Sequence, residues 1–220
     1  ADAICHLISA KGAPMTKIDT QEKLRAIYGA PLEVAVSKCL SALDPHCKHF
    51  IDLAPFAVIS SADSNGDADV SPRGDGPGFI KVLDDNTILM PDRPGNNRVD
   101  TLANIVENPK VGMLFFVPGI NETLRVNGLA EIRTDPELLA LFADTPKPPV
   151  TVIKVTVEEA FLHCAKSLMR SKLWDASAQI DRKTLPTLGK MIKDQTAANF
   201  EVGTQEEADK YFAASIAERG

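Results

Sequence analysis

Two short runs in this chain combine residue types that hold anions. Ser71-Pro72-Arg73 lies within Asp69-Val-Ser-Pro-Arg-Gly-Asp75, and Pro91-Asp92-Arg-Pro-Gly-Asn96-Asn97-Arg98 follows after about one strand length. A helix-like stretch starts where the second run ends. The first N–H groups of a helix lack partners within it and carry its positive dipole end, so Asn96, Asn97 and Arg98 at such a place suit a phosphate. Arg73 and Arg98 each add a guanidinium whose planar fork matches phosphate oxygens. The expectation is a phosphorylated ligand between two strand ends, with Arg98 on the phosphate and Arg73 on the same charge or on a substrate anion.

The elements that must position these runs read mostly as strands. Residues 20–54 are expected to be helical in short pieces, with Leu24, Ile27, Leu32, Val36, Leu40 and Leu43 at helical spacing and Pro31 and Pro45 dividing them. Strands are expected at 56–60 and 68–73, joined by the turn chemistry of Ser64-Asn-Gly-Asp67. Residues 79–82 and 87–90 flank a turn at Asp84-Asp-Asn86. Residues 97–107 form a helix with Val99, Leu102, Ile105 and Val106 as its apolar face, ended by Asn108-Pro109. Strands at 111–117, 123–132 and 151–157 follow, with a short helix at 136–143 and short helices over 159–217. This pattern predicts an α+β, mainly β chain: a small antiparallel barrel of six strands with flanking helices. The expected organisation is an N-terminal helical arm over 1–49, a β domain over 50–175 and a C-terminal helical extension over 176–220.

Composition excludes several classes. The net charge of −6 and the low aromatic content argue against nucleic acid as a partner. No apolar run is long enough to cross a bilayer, so no membrane partner is expected. Ala1 to Pro14 lack the basic start and sustained apolar stretch of a signal peptide. Four cysteines without dense spacing point to a reduced, cytoplasmic setting. Gly74-Asp-Gly-Pro-Gly78 reads as a wide turn, because a dinucleotide loop must open a helix and here a strand follows. Asp63-Ser-Asn-Gly-Asp67 imitates the start of a calcium loop but has its glycine two positions early, so it reads as a hairpin turn. Cys39, His46, Cys47 and His49 match no closed zinc spacing, and no metal is expected.

Two further places carry chemistry. Arg125 lies mid-strand in Thr123-Leu-Arg-Val-Asn-Gly128, where an inward charge needs a partner to offset desolvation. After His163-Cys164, helical spacing puts Lys166 and Arg170 on one face with Trp174 a turn further on, a combination able to reach a planar ligand. His163 and Asp92 are the candidates for a proton-handling group.

Four ordered motifs, Ser71 to Asp75, Pro94 to Arg98, Glu122 to Gly128 and Arg170 to Trp174, make the chain resemble the pyridoxamine 5′-phosphate oxidase superfamily over about Phe50 to Trp174. The resemblance implies an FMN-binding split β-barrel and a homodimer with FMN sites at the interface. It implies cofactor contacts from Ser71, Pro72, Arg73, Pro91, Asp92, Asn96, Asn97, Arg98, Thr123, Arg125, Arg170 and Trp174. The implied activity is that of an FMN-dependent oxidoreductase acting on a small molecule, with NAD(P)H as a candidate reductant. The alternative is a non-catalytic carrier or sensor of FMN or haem. Authentic oxidases of vitamin B6 carry Arg-x-x-Leu-Leu-Lys on the second strand. Ala68 and Arg73 stand at those two charged positions here, which argues against pyridoxamine phosphate as the native substrate.

Overall fold

The computed structural model describes residues 17–145, 147–196 and 199–219. The expectations for Ala1 to Pro14 and for Cys5 lie outside them. The chain divides into two units, 1–37 and 38–220. In the first, α1 (Gln21–Tyr28) is capped by Thr20, whose Oγ1 accepts from the Lys23 N–H at 3.2 Å, and Gly29 ends it at φ 69°. A short α2 (Glu33–Ser37) follows, and neither helix has a buried residue.

The second unit opens with α3 (Pro45–Leu53). Asp44 caps it by accepting from the Cys47 N–H at 2.7 Å, Pro45 fits the first turn, and Cys47 and Ile51 face inward. Strands β1 (Phe56–Ala62) and β2 (Ala68–Gly74) form the expected hairpin. Its turn is set by Asp63, whose Oδ1 accepts from the N–H groups of Asn65 and Asp67 at 2.9 Å each, and by Gly66 at φ 89°. Then come β3 (Lys81–Asp84), β4 (Thr87–Asp92), α4 (Asp100–Glu107), β5 (Lys110–Phe116), β6 (Thr123–Arg133), α5 (Pro136–Ala140), β7 (Thr151–His163), α6 (Lys166–Ser171), α7 (Leu188–Thr196) and α8 (Gln205–Arg219).

The strands form one antiparallel sheet in the order β2-β1-β5-β6-β7-β4-β3. β2 and β4 are five places apart in that order, roughly 24 Å in a flat sheet at the usual strand spacing. Yet Arg73 of β2 lies 3.9 Å from Asp92 of β4. The sheet must therefore curl until its ends meet, leaving a split bridged by side chains instead of by a backbone ladder. Inside the curl, Ile59, Met90, Phe115, Leu124, Val126, Ile153 and Val155 pack with Ile51 of α3 in one core. This is a mainly β split barrel with flanking helices.

Four expectations change. The sheet has seven strands, not six, because Lys81–Asp84 pairs with β4 across a register shift between Val82 and Asp84. β7 continues to His163, so residues 159–163 are strand and not helix; pairing with β6 along its whole length carries the backbone through Glu158-Glu159, where alternation is weak. The helix after the second anion run begins at Asp100, and its inward face is Thr101, Asn104 and Ile105, with Val99 and Val106 exposed. Finally, α6 stops at Ser171, with Lys172 in the left-handed region at φ 51°, so Trp174 is not on that helix.

Candidate anion site at the split of the sheet

The two anion runs meet where the barrel is split. Arg73 and Asp92 face each other across it, and Arg93 extends the seam with Nη1 2.8 Å from Asp75 Oδ2 and Nε donating to the Lys147 carbonyl at 2.9 Å. Between these pairs and the start of α4 lies a cleft of about 250 Å3, lined by Asp69, Val70, Ser71 and Arg73 of β2, by Asp92 through Val99, and by Asp100, Thr101 and Leu102. Ser71, Arg73, Asp92, Asn96, Asn97 and Arg98 are therefore brought together. Pro72 and Pro91 sit in the flanking strands without lining the cleft.

The turn before α4 is unusual. Asn97 and Val99 both take left-handed backbone, at φ 60° and 52°, and the Arg98 N–H donates to Asn96 Oδ1 at 3.1 Å. Asparagine tolerates that region, but for branched valine it costs roughly 1–2 kcal/mol. Val99 also leaves α4 without a side-chain cap, as α5 and α6 are, whereas Thr20, Asp44, Asp175 and Asp181 cap the helices they precede. The helix start that faces the cleft is thus left to a ligand or to water. Arg98 pairs with Asp100 at 2.8 Å, but its side chain is 75% exposed, and such a pair is held weakly enough to be exchanged for a stronger anion.

The charges are balanced: Arg73, Arg93 and Arg98 each have an aspartate partner. Burial pushes the Asp92 carboxyl above its usual range, and Arg73 opposes that shift without cancelling it. Arg73 Nε and Arg93 Nη2 are shielded from solvent and have no hydrogen-bond partner. Buried donors left so cost about 1–3 kcal/mol. Cationic donors, an uncapped helix and hydroxyls at one cleft fit a phosphate group.

The remaining expected residues lie elsewhere. Thr123 is buried on β6 opposite His163. Arg125 lies with its guanidinium 4.4 Å from the Phe161 ring and 3.6 Å from Glu159, beside a second groove of about 340 Å3 on the β1–β5–β6 face that His163 also lines. Lys38 approaches the same ring at 5.0 Å. Burial lowers the His163 pKa, with Arg125 and Lys38 adding to the effect, which favours a neutral imidazole. Arg170 is exposed and donates to the Lys166 carbonyl, and the Trp174 indole N–H donates to the Ile120 carbonyl at 2.8 Å. Arg93, Asp69 and Lys38 escaped the sequence reading. The first two lay inside the quoted motifs, where their charge was the available signal; for Lys38 no local pattern existed.

A family model described as pyridoxamine 5′-phosphate oxidase matches residues 43–164. The chain belongs to that family. Arg170 and Trp174 fall outside the matched span of this family member. No curated protein matched the chain. Among solved structures it is similar to a tagged form of HupZ from group A Streptococcus, at 21% identity and TM-score 0.46, covering 55% of this chain and 93% of that one. It is also similar to a candidate pyridoxamine 5′-phosphate oxidase from Lactobacillus delbrueckii, at 22% identity and TM-score 0.45, covering 56% and 95%. General Stress Protein 26 from Bacillus anthracis is 19% identical, at TM-score 0.40, covering 53% of this chain and 93% of that one.

Proposed function

We propose that this family member binds FMN and acts as an FMN-dependent oxidoreductase on a small molecule. The observation that carries the reading is the cleft at the split, which the uncapped helix start, Arg98, Arg73 and Arg93 line together. Membership in a family that bears an oxidase's name supplies the reaction class. When bound, FMN supplies hydride chemistry, and the protein's part is to bind, orient and tune it. Arg98 exchanges Asp100 for the phosphate, the start of α4 donates its free N–H groups, and Ser71 and Arg73 border the remainder of the ligand. Asp92 is the cleft's candidate for holding a proton, since burial favours its neutral form.

A cleft of about 250 Å3 is smaller than the roughly 300–1,000 Å3 of whole small-molecule sites. It suits the phosphate end alone, and the flat ring system then needs a second surface. We assign that surface to the Arg125 groove of a second copy of the chain, so the active form is a homodimer. This accounts for the division of the expected contacts into two groups on one chain.

The test is spectral. Purified protein titrated with FMN should gain flavin absorbance at one equivalent per chain and bleach on adding NADH or NADPH. Flavin bands that no reductant bleaches favour a carrier, and a chain that takes up no FMN overturns the proposal. Sedimentation of a fully loaded monomer overturns the shared site.

A further inference from the structure

Two polar ties fasten helix α4 to the β1–β2 hairpin: an exposed one at its far end, where Glu107 accepts from the Ser64 N–H and hydroxyl at 3.2 and 3.0 Å, and a buried amide nearer the cleft. Asn104 and Ser61 are almost fully buried. Both amide hydrogens of Asn104 are used: Nδ2 donates to Ser61 Oγ at 3.0 Å and to Asp69 Oδ2 at 2.8 Å. Ser61 and Asp69 are a cross-strand pair of the β1–β2 hairpin, so the amide ties the helix to both strands at one register. Asp69 and Ser71 of that hairpin line the cleft on one side, and Thr101 and Leu102 of the helix line it on the other. Apolar packing by Ile105 holds the helix down but does not fix its position along its own axis. A hydrogen-bonded amide, demanding both distance and direction, does.

We infer that Asn104 is a positioning residue that sets the N–H groups at the start of α4 against β2 for the phosphate of FMN. This rests on the FMN reading above. A misplaced helix start loses alignment with the phosphate oxygens while the rest of the ligand site is unaltered. Asn104 therefore governs discrimination between FMN and riboflavin, which lacks the phosphate. Its role is through Asp69 and Ser61, and it does not touch the ligand.

The geometry also specifies a rescue. Asn104→Asp removes both donors and sets two carboxylates against each other, a repulsive arrangement. Asp69→Asn in the same chain reverses the polarity of the bond, with an amide at 69 donating to a carboxylate at 104 and the net charge unchanged. Fluorescence titration of wild type, N104D, D69N and the double variant with FMN and with riboflavin tests this. N104D is expected to weaken FMN about tenfold or more, since a bond to a charged partner is lost, and riboflavin less than about twofold. The double variant should recover most of the FMN affinity. Equal weakening of both ligands, or no recovery in the double variant, shows that Asn104 merely supports the fold and overturns the inference. Should N104D not fold, the double variant still decides: folded, with a wild-type FMN to riboflavin ratio it upholds the assignment, and with a reduced ratio it overturns it. If the wild type binds both ligands equally, the phosphate site itself is wrong and both readings fall.

Discussion

At the split of the sheet Arg98 is carried by a turn before a helix start, whereas on the β1–β5–β6 face Arg125 is carried within a strand ladder. The turn has two non-glycine residues in left-handed backbone and a helix without a cap. The ladder keeps Arg125 over Phe161 and beside Glu159, with Asn127 Nδ2 donating to the same carboxylate at 2.9 Å. The first region stores strain and unmet donors, as a site waiting for an anion does. The second has no left-handed turn, although it too holds an unmet donor, Arg125 Nε, and it presents a face against which something flat can lie. An exchangeable phosphate contact and a rigid ring contact place opposite demands on a protein, and under the proposed FMN binding the two regions would answer them separately.

The largest expected effect breaks the ladder beneath both regions. β6 and β7 shift register between Asn127 and Gly128, and a Cβ at Gly128 would lie 2.1 Å from the Thr156 carbonyl oxygen. The two nearest atoms, the Thr156 carbonyl oxygen and carbon, are backbone, so backbone must move. Gly128→Ala should cost about 3 kcal/mol, the upper end for overpacking, read as a lowered midpoint in urea. A stable variant that loses only the Arg125 groove would show the two regions to be less coupled than one barrel implies.

Next in size are the two arginines. Arg98→Ala should weaken FMN by roughly ten- to a hundredfold, the worth of charge-assisted bonds to phosphate, and leave riboflavin binding and the fold unchanged. Arg125→Ala should weaken both ligands by similar factors, because a contact to the ring system does not sense the phosphate. If both variants favour riboflavin alike, the division of labour between cleft and face is wrong.

These regions were not equally legible in the sequence. The Asp63–Asp67 turn, the anion runs and most strands follow from local chemistry: a side-chain acceptor two residues before an N–H, a glycine where φ is positive, and alternation at period two. What failed was non-local. Glu158-Glu159 followed by Ala160-Phe161-Leu162 has no clear alternation, and only its ladder with β6 makes it strand. Arg73 meets Asp92 because the sheet curls, and a strand order of β2-β1-β5-β6-β7-β4-β3 leaves no trace in residue spacing. Asn104 was hidden differently. A polar residue on the inward face of α4 looks like an interruption of the apolar pattern until Ser61 and Asp69 are seen to meet it.

Smaller effects sharpen the claim that the cleft, and not the face, stores strain. Val99 is half exposed, so its side chain contributes little packing, while its backbone sits where a branched residue is disfavoured. Val99→Asn should raise stability by about 1 kcal/mol, measured by thermal unfolding. A loss instead would mean that the left-handed turn is not strained in this setting.

The smallest effect concerns Asp92 and depends on pH. Burial holds its carboxyl above the ordinary value of 3.8, and Arg73 only partly opposes this. The folded chain thus binds that proton more tightly than the unfolded chain. The group's contribution to stability is complete below the unfolded pKa and is lost as pH rises through the folded one. Asp92→Asn removes the titration, so the variant should gain on the wild type as pH climbs from about 3 to about 7, read as a widening gap between urea midpoints. A gap that narrows over the same range would mean that attraction to Arg73 outweighs burial. Arg73 would then be neutralised by a firm partner, and an incoming anion would have to break that ion pair before it could use the guanidinium.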